Sequence, residues 1–250
     1  MLKRVINCKI HKQRLKKFKK YVKKAKLDNI KRVDCVNGKE FTDDVLKKMI
    51  KKNILSNNAD VNPIEIAICL SHRKCWKDLI ESKQKYMIVF EDDSRIYKSF
   101  LTKLNSIIEA NLDFDILYLW NGNWNRTLSK RKKIANIDGI EISQETTNYI
   151  PGTPCYVITR EWAKILYKKL FPINKAIDAF MGSVRVKSSK HYTVNNKRRK
   201  NDDIDCWPLS PFLFTACPDE GNTTQDYSVK TIEERDLMKE NNFNFNKILN

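Results

Sequence analysis

The sequence predicts an α/β domain with a mostly parallel sheet flanked by helices. Three observations carry that expectation. Short apolar, partly β-branched runs alternate with amphipathic helical stretches along most of the chain. The run Tyr86-Met87-Ile88-Val89-Phe90 is apolar without a break, as in strands covered on both faces. No repeat or composition shift divides the 250 residues, which read as one domain, 1–250, with a weakly patterned tail from about residue 230.

The elements follow in order. Arg4-Val5-Ile6-Asn7-Cys8 reads as a buried first strand, and residues 11–26 as a very basic amphipathic helix with Leu15, Phe18, Val22 and Ala25 on its apolar face. Residues 31–36 are a second strand, closed by Asn37-Gly38 as a turn. Residues 41–52 form a short helix capped by Thr42, and residues 63–82 a longer one with Pro63 near its start. After the apolar strand come a helix over 99–111 and a buried strand over 115–120. Residues 121–148 are polar and irregular, with room for a small hairpin. A strand at 155–158 and a helix at 160–170 follow; residues 184–201 are basic and expected to be exposed.

The net charge of +18 favours polyanionic partners: nucleic acid, an acidic membrane surface, acidic glycans or a nucleotide diphosphate. The Lys, Asn and Ile bias of an AT-rich genome explains the same excess without any partner. The seven cysteines are odd in number and contain no CxxC, so a disulfide framework is not expected and a reducing compartment is. No apolar leader precedes the first strand, which points to the cytoplasm of a bacterium, or of a host cell if the source is viral. No apolar run spans a bilayer, so membrane contact is at most peripheral.

The most informative local feature is Glu91-Asp92-Asp93, directly after the apolar strand. Ligands of open α/β sheets bind beyond the carboxyl ends of the strands. Three adjacent carboxylates repel one another unless a cation neutralises them, and hard oxygen ligands favour Mn²⁺ or Mg²⁺. In extended chain Glu91 and Asp93 point one way and Asp92 the other. Glu91 and Asp93 are therefore the metal candidates, poised to bridge a diphosphate leaving group; a solvated acidic turn is the plainer alternative.

Four blocks, in order, resemble glycosyltransferase family 25, which includes bacterial lipopolysaccharide galactosyltransferases and procollagen galactosyltransferases. They are Val5-Ile6-Asn7 with Arg14, followed by residues 33–38; residues 65–72 with Trp76; residues 88–93; and residues 152–159 with Ala163. Ile64 and Ala67 stand where the family pattern has glycine. The resemblance covers roughly the first 180 residues. It implies a GT-A fold, that is, a Rossmann-type sheet flanked by helices. It also implies a UDP-hexose donor carrying galactose or glucose, Mn²⁺, and inversion at the anomeric carbon. The acceptor is a hydroxyl on a glycan, a lipid-linked sugar or hydroxylysine. By position, Asn7, Arg14, Ser71, His72, Asp92, Gly152 and Thr153 are assigned to the donor. Asp178, in the stretch after residues 172–174, is assigned as the base that inversion requires.

Each assignment has a plainer alternative. His72 reads equally as a hydrogen-bonded structural histidine, Arg14 as one more cation on a basic helix, and Asp178 as a cap or a metal ligand. Cys69, His72 and Cys75 invite a zinc reading, but no fourth ligand is evident and packing is preferred. Asp202, Asp203 and Asp205 follow Lys197-Arg198-Arg199-Lys200, so local charge pairing accounts for them. Trp124 is a better sugar-stacking candidate than Trp120 or Trp207. Two other functions stay open: a basic nucleic-acid-binding protein, for which no specific motif is found, and a catalytically inactive glycan-binding relative.

Overall fold

The computed structural model describes residues 1–119, 132–145, 152–184, 189–194 and 214–216. Residues Trp120, Trp124 and Trp207, the acidic group Asp202, Asp203 and Asp205, and Cys206 and Cys217 lie outside the described residues.

The chain opens β1 (Leu2–Asn7), α1 (Lys12–Lys24), β2 (Lys31–Asp34), with β1 and β2 parallel and Asn7 level with Asp34. A 3-10 turn over Gly38–Glu40 leads to α2 (Asp43–Lys51), where the Thr42 hydroxyl accepts from Val45 N. Gly38 is needed for proximity: a Cβ there would lie 2.4 Å from the Pro63 carbonyl oxygen. α3 (Pro63–Glu81) begins in a capping box between Asn62 and Glu65, with Pro63 in its first turn. β3 (Tyr86–Glu91), β4 (Ser94–Ile96), α4 (Phe100–Glu109) and β5 (Ile116–Tyr118) follow. Next come β6 (Lys133–Ile137), β7 (Ile140–Gln144), β8 (Cys155–Thr159), α5 (Arg160–Lys169), α6 (Ile177–Ser183), β9 (His191–Val194) and β10 (Phe214–Ala216).

Eight strands form one sheet in the order β2-β1-β3-β8-β5-β9-β7-β6, and β4 pairs with β10 apart from it. β1 is parallel to β2 and β3, and β5 to β9; the other neighbours are antiparallel. Following these pairings, all strands of the sheet except β8 and β7 run the same way, so the α/β class and the mostly parallel direction are found, in a mixed sheet. β3 shows why its sequence is apolar throughout. Met87 and Val89 enter one core with α2, α3, α5 and α6, while Ile88 and Phe90 enter the other with α1 and α4. Phe18 of α1 meets Phe90 with ring centroids 5.6 Å apart. A fully buried phenylalanine contributes roughly 2–3 kcal/mol.

Three expectations change. Residues 133–144 do form a hairpin, turned by Asp138 and Gly139 at φ 49° and 77°, but it joins the main sheet as its edge. Residues 191–194, expected to be exposed with their basic surroundings, form the fully buried strand β9. All four of its side chains, His191, Tyr192, Thr193 and Val194, are covered although basic residues stand near them in sequence.

The third change concerns the cysteines: Cys8 and Cys35 are joined in a disulfide. Each directly follows its strand, and parallel register brings them level, with Cα atoms 4.7 Å apart. The cysteines therefore no longer point to a reducing compartment. Cys69, Cys75 and Cys155 are free and buried. The bridge ties residues 27 apart in sequence. Cys35→Ser is expected to lower unfolding free energy by about 3 kcal/mol. Urea denaturation checks this, and a change below about 1 kcal/mol would contradict it.

Candidate active site

Sequence order places β2 on one side of β1 and β3 on the other, so the chain reverses direction across the sheet between β1 and β3. Such a switch point opens a crevice at the carboxyl ends of the two strands. β1 ends at Asn7 and β3 at Glu91. β8, running the opposite way, brings its beginning, with Gly152-Thr153-Pro154 ahead of it, to the same end. The Pro154 carbonyl accepts from Glu91 N at 2.9 Å and from the buried Ser94 hydroxyl at 2.9 Å, fixing the turn that holds the three carboxylates.

The carboxylates part to different partners. Asp92, 8% exposed, accepts from Asn7 Nδ2 at 2.6 Å and is paired to Arg14 Nε at 3.1 Å. Arg14 also reaches Asp93, with Nη2 3.4 Å from Oδ2. Asn7 Nδ2 donates to the His11 carbonyl as well, so β1, α1 and the turn after β3 are drawn together. Glu91 has its own partners. Its Oε1 accepts from the Thr153 hydroxyl at 2.9 Å and lies 3.3 Å from His72 Nε2.

The tautomer of His72 follows from its neighbours. Trp76 Nε1 can only donate, and it donates to the Tyr156 hydroxyl at 3.0 Å. The tyrosine's own hydrogen then points to His72 Nδ1, 2.9 Å away. Whenever the ring is neutral, this contact places its proton on Nε2, from which it is donated to Glu91. Trp76 and Tyr156 lay in the matched sequence blocks without a role attached. No sequence signal announces them; the cross-strand register does, placing Tyr156 level with Val89, two residues before Glu91 on the same face. Tyr156→Phe is expected to lower stability by roughly 1–2 kcal/mol and to free the ring to exchange tautomers. Nitrogen NMR of His72, one of three histidines, reads this directly. An Nδ1-protonated ring in the unmodified protein would contradict the relay.

The charges within the crevice differ. Burial raises the Glu91 pKa, but hydrogen bonds from His72 and Thr153 and the charges of His72 and Arg14 outweigh it and hold the carboxyl below its ordinary range. Burial and the Glu91 charge push Asp93 up to about 7, against the pull of Arg14. Burial also raises Asp92, opposed by Arg14 and Asn7. Asp93 Oδ1 is buried and accepts no hydrogen bond. A cation is the natural partner for such an oxygen, and two carboxylates plus substrate phosphates suffice for Mn²⁺ or Mg²⁺. Among the described residues no group of three or more His, Cys, Asp or Glu side chains is arranged around a metal position. A metal at Glu91 and Asp93 would therefore take its remaining ligands from substrate and water.

The other candidates are placed as follows. Ser71 donates to the Ala67 carbonyl at 2.7 Å and accepts from Val36 N at 2.9 Å, pinning the loop after β2 to α3. Its hydroxyl is engaged with backbone on both sides. Gly152, at φ 76°, donates its N–H to Asp178 Oδ2 at 3.1 Å, and Asp178 Oδ1 accepts from Ala179 N at 2.7 Å. Asp178 thus stands at the start of α6, bonded to Gly152, the residue just before the Thr153 that holds Glu91. Cys69 and Cys75 remain thiols, because burial pushes both pKa values far up; Cys69 lies 3.7 Å from the Lys175 carbonyl. Zinc finds no ligand set there.

The family profile described as "Glycosyltransferase family 25 (LPS biosynthesis protein)" matches residues 2–181. Procollagen galactosyltransferase 2 of Homo sapiens is 25% identical over 225 residues, covering 84% of this chain and 34% of that protein. The Mus musculus protein of the same name gives the same identity and coverage. The chain thus spans about a third of the length of these curated relatives. Among solved structures, A197 from STIV aligns with a TM-score of 0.43 at 11% identity, covering 92% of this chain and 97% of that one. HddC from Yersinia pseudotuberculosis aligns with a TM-score of 0.37 at 11% identity, covering 77% and 90%.

Proposed function

The chain belongs to glycosyltransferase family 25, and from that premise we propose that it transfers galactose or glucose from a UDP-sugar to an acceptor hydroxyl, with inversion, in a reaction that depends on Mn²⁺ or Mg²⁺. The observation that carries the proposal is the buried, unpartnered Asp93 Oδ1 beside Glu91 at the crevice between β1 and β3. A cation bound there would neutralise the diphosphate as it leaves.

The chain's own residues divide the remaining work. Arg14 and Asn7 hold Asp92 and keep the carboxylate turn in place. His72 and Thr153 both hold Glu91 Oε1, fixing the carboxylate in place. This outer support is the kind that orients a metal-binding carboxylate. Asp178 accepts the proton of the acceptor hydroxyl as that oxygen bonds to the anomeric carbon; the bond from that carbon to the diphosphate breaks, and UDP leaves. Gly152 N–H holds the Asp178 carboxylate toward the loop that would face the sugar. The acceptor is a hydroxyl on a glycan, a lipid-linked sugar or hydroxylysine, and the site works without a specific nucleic acid.

The test is a panel of UDP-sugars assayed for UDP release with Mn²⁺, Mg²⁺ or chelator. One UDP-hexose is expected to be turned over at least tenfold faster than the others, and chelator is expected to stop release. Release unaffected by chelator, or absent for every donor, would contradict the proposal.

A further inference from the structure

We propose that the outer face of α1, together with Ile10, docks the protein on an anionic lipid surface. Lys12, Lys16, Lys17, Lys19, Lys20, Lys23 and Lys24 are exposed on this 13-residue helix, which contains no acidic residue. At 100° per residue they fall on the half of the helix opposite Phe18. Phe18, with Leu15, Tyr21 and Val22, is packed into the core against Phe90 and Ile88, so the lysine face is fixed outward and cannot roll inward.

Several lysines elsewhere stand beside an acid: Lys3 by Asp28, Lys9 by Asp34, Lys77 by Glu81 and Lys164 by Glu161. The α1 row is a concentrated stripe of like charge about 20 Å long, on a helix with no acidic residue of its own. Such a stripe is attracted to a layer of phosphates.

Two features choose lipid over nucleic acid. Ile10 stands immediately before the N-terminal cap His11 and is 58% exposed, far more than Met1 at 36%, the other exposed large hydrophobic among the described residues. An aliphatic side chain at the head of a basic face has a use at a bilayer interface and none against a phosphate backbone. The outward side chains are also lysines, with no exposed aromatic among them on which bases could stack. No helix among the described residues is long and apolar enough to cross a membrane, so contact would be peripheral.

Arg14, in the first turn of the same helix, pairs with Asp92 and Asp93. Docking the head of α1 would bring the carboxylate crevice close to the lipid headgroups. On the transferase reading, the acceptor is then one presented from a membrane; the docking itself does not rest on that reading.

The experiment is cosedimentation of the full chain with phosphatidylcholine vesicles, alone or with about one-third phosphatidylserine, without donor or metal. Binding to the mixed vesicles is expected to be at least tenfold stronger than to the neutral ones, and to vanish near roughly 0.5 M salt. The combined variant Lys16→Glu, Lys20→Glu, Lys23→Glu should lose about a hundredfold in affinity with unchanged thermal melting. Ile10→Ser should lose several-fold with the salt dependence kept. Equal binding to both vesicle types, or unchanged binding by either variant, overturns the proposal. Salt-sensitive binding of a short RNA with no vesicle binding also overturns it and assigns the face to nucleic acid. Failure of the UDP-sugar assay would leave these outcomes untouched.

Discussion

Asp93→Asn is expected to slow transfer by roughly a thousandfold while leaving the chain folded. Asparagine keeps the shape of the side chain but offers no charge to a cation, so the diphosphate would leave without neutralisation. The fold should not suffer. Burial and the neighbouring Glu91 charge raise Asp93 from an ordinary 3.8 to about 7, so the native state holds this proton more firmly than the unfolded chain. Between those two values the native state binds more protons, and its stability falls as pH rises. The cost is complete above about pH 7, where the neutral amide avoids it. Asp93→Asn should therefore melt at the same or a higher temperature than the unmodified protein at pH 8, and show little advantage at pH 4. Mn²⁺ must displace that proton, so its stabilisation of the unmodified protein should grow from about pH 6 to 8. In the variant it should be small and flat. Thermal melts with and without Mn²⁺ across that range check all of this. A variant as active as its parent, or one that melts lower at pH 8, would contradict it.

Asp178→Asn is expected to lower kcat by about a thousandfold with the donor KM unchanged. As the base, Asp178 is needed when the acceptor loses its proton, and the amide cannot take that proton. The structural consequence should be small. The amide oxygen still accepts one of the two backbone N–H groups that the carboxylate holds, Gly152 or Ala179, so the stability loss should stay near 1 kcal/mol. Steady-state kinetics separate this role from a merely supporting one. Were Asp178 only a tether for the loop at Gly152, KM would rise and kcat would hold.

Much of the fold was legible because burial leaves a plain mark. The apolar strand β3 can be read directly, since both its faces are covered, and so can α3, with Pro63 at its start. β9 was illegible because four residues set among lysines carry too little pattern, although each is buried. The disulfide was illegible for a different reason. Cys8 and Cys35 are unremarkable in sequence, and only the register of β1 against β2 makes them neighbours.

In the candidate site, the sequence points to the carboxylates because charge beside an apolar strand is costly without a purpose. It is silent on the relay from Trp76 through Tyr156 to His72, since hydrogen-bond direction depends on contacts between α3 and β8. Nor does it announce that the Ser71 hydroxyl bonds the backbone at Val36 and Ala67.

The central claim is that a cation held by Glu91 and Asp93 receives the pyrophosphate of a nucleotide-sugar. Calorimetric titration of UDP into the protein at pH 8, with Mn²⁺ or with chelator, tests it most directly. The account predicts binding with Mn²⁺, at least a hundredfold weaker with chelator and equally weak in Asp93→Asn. UDP binding of the same strength in all three samples, or in none, would contradict it.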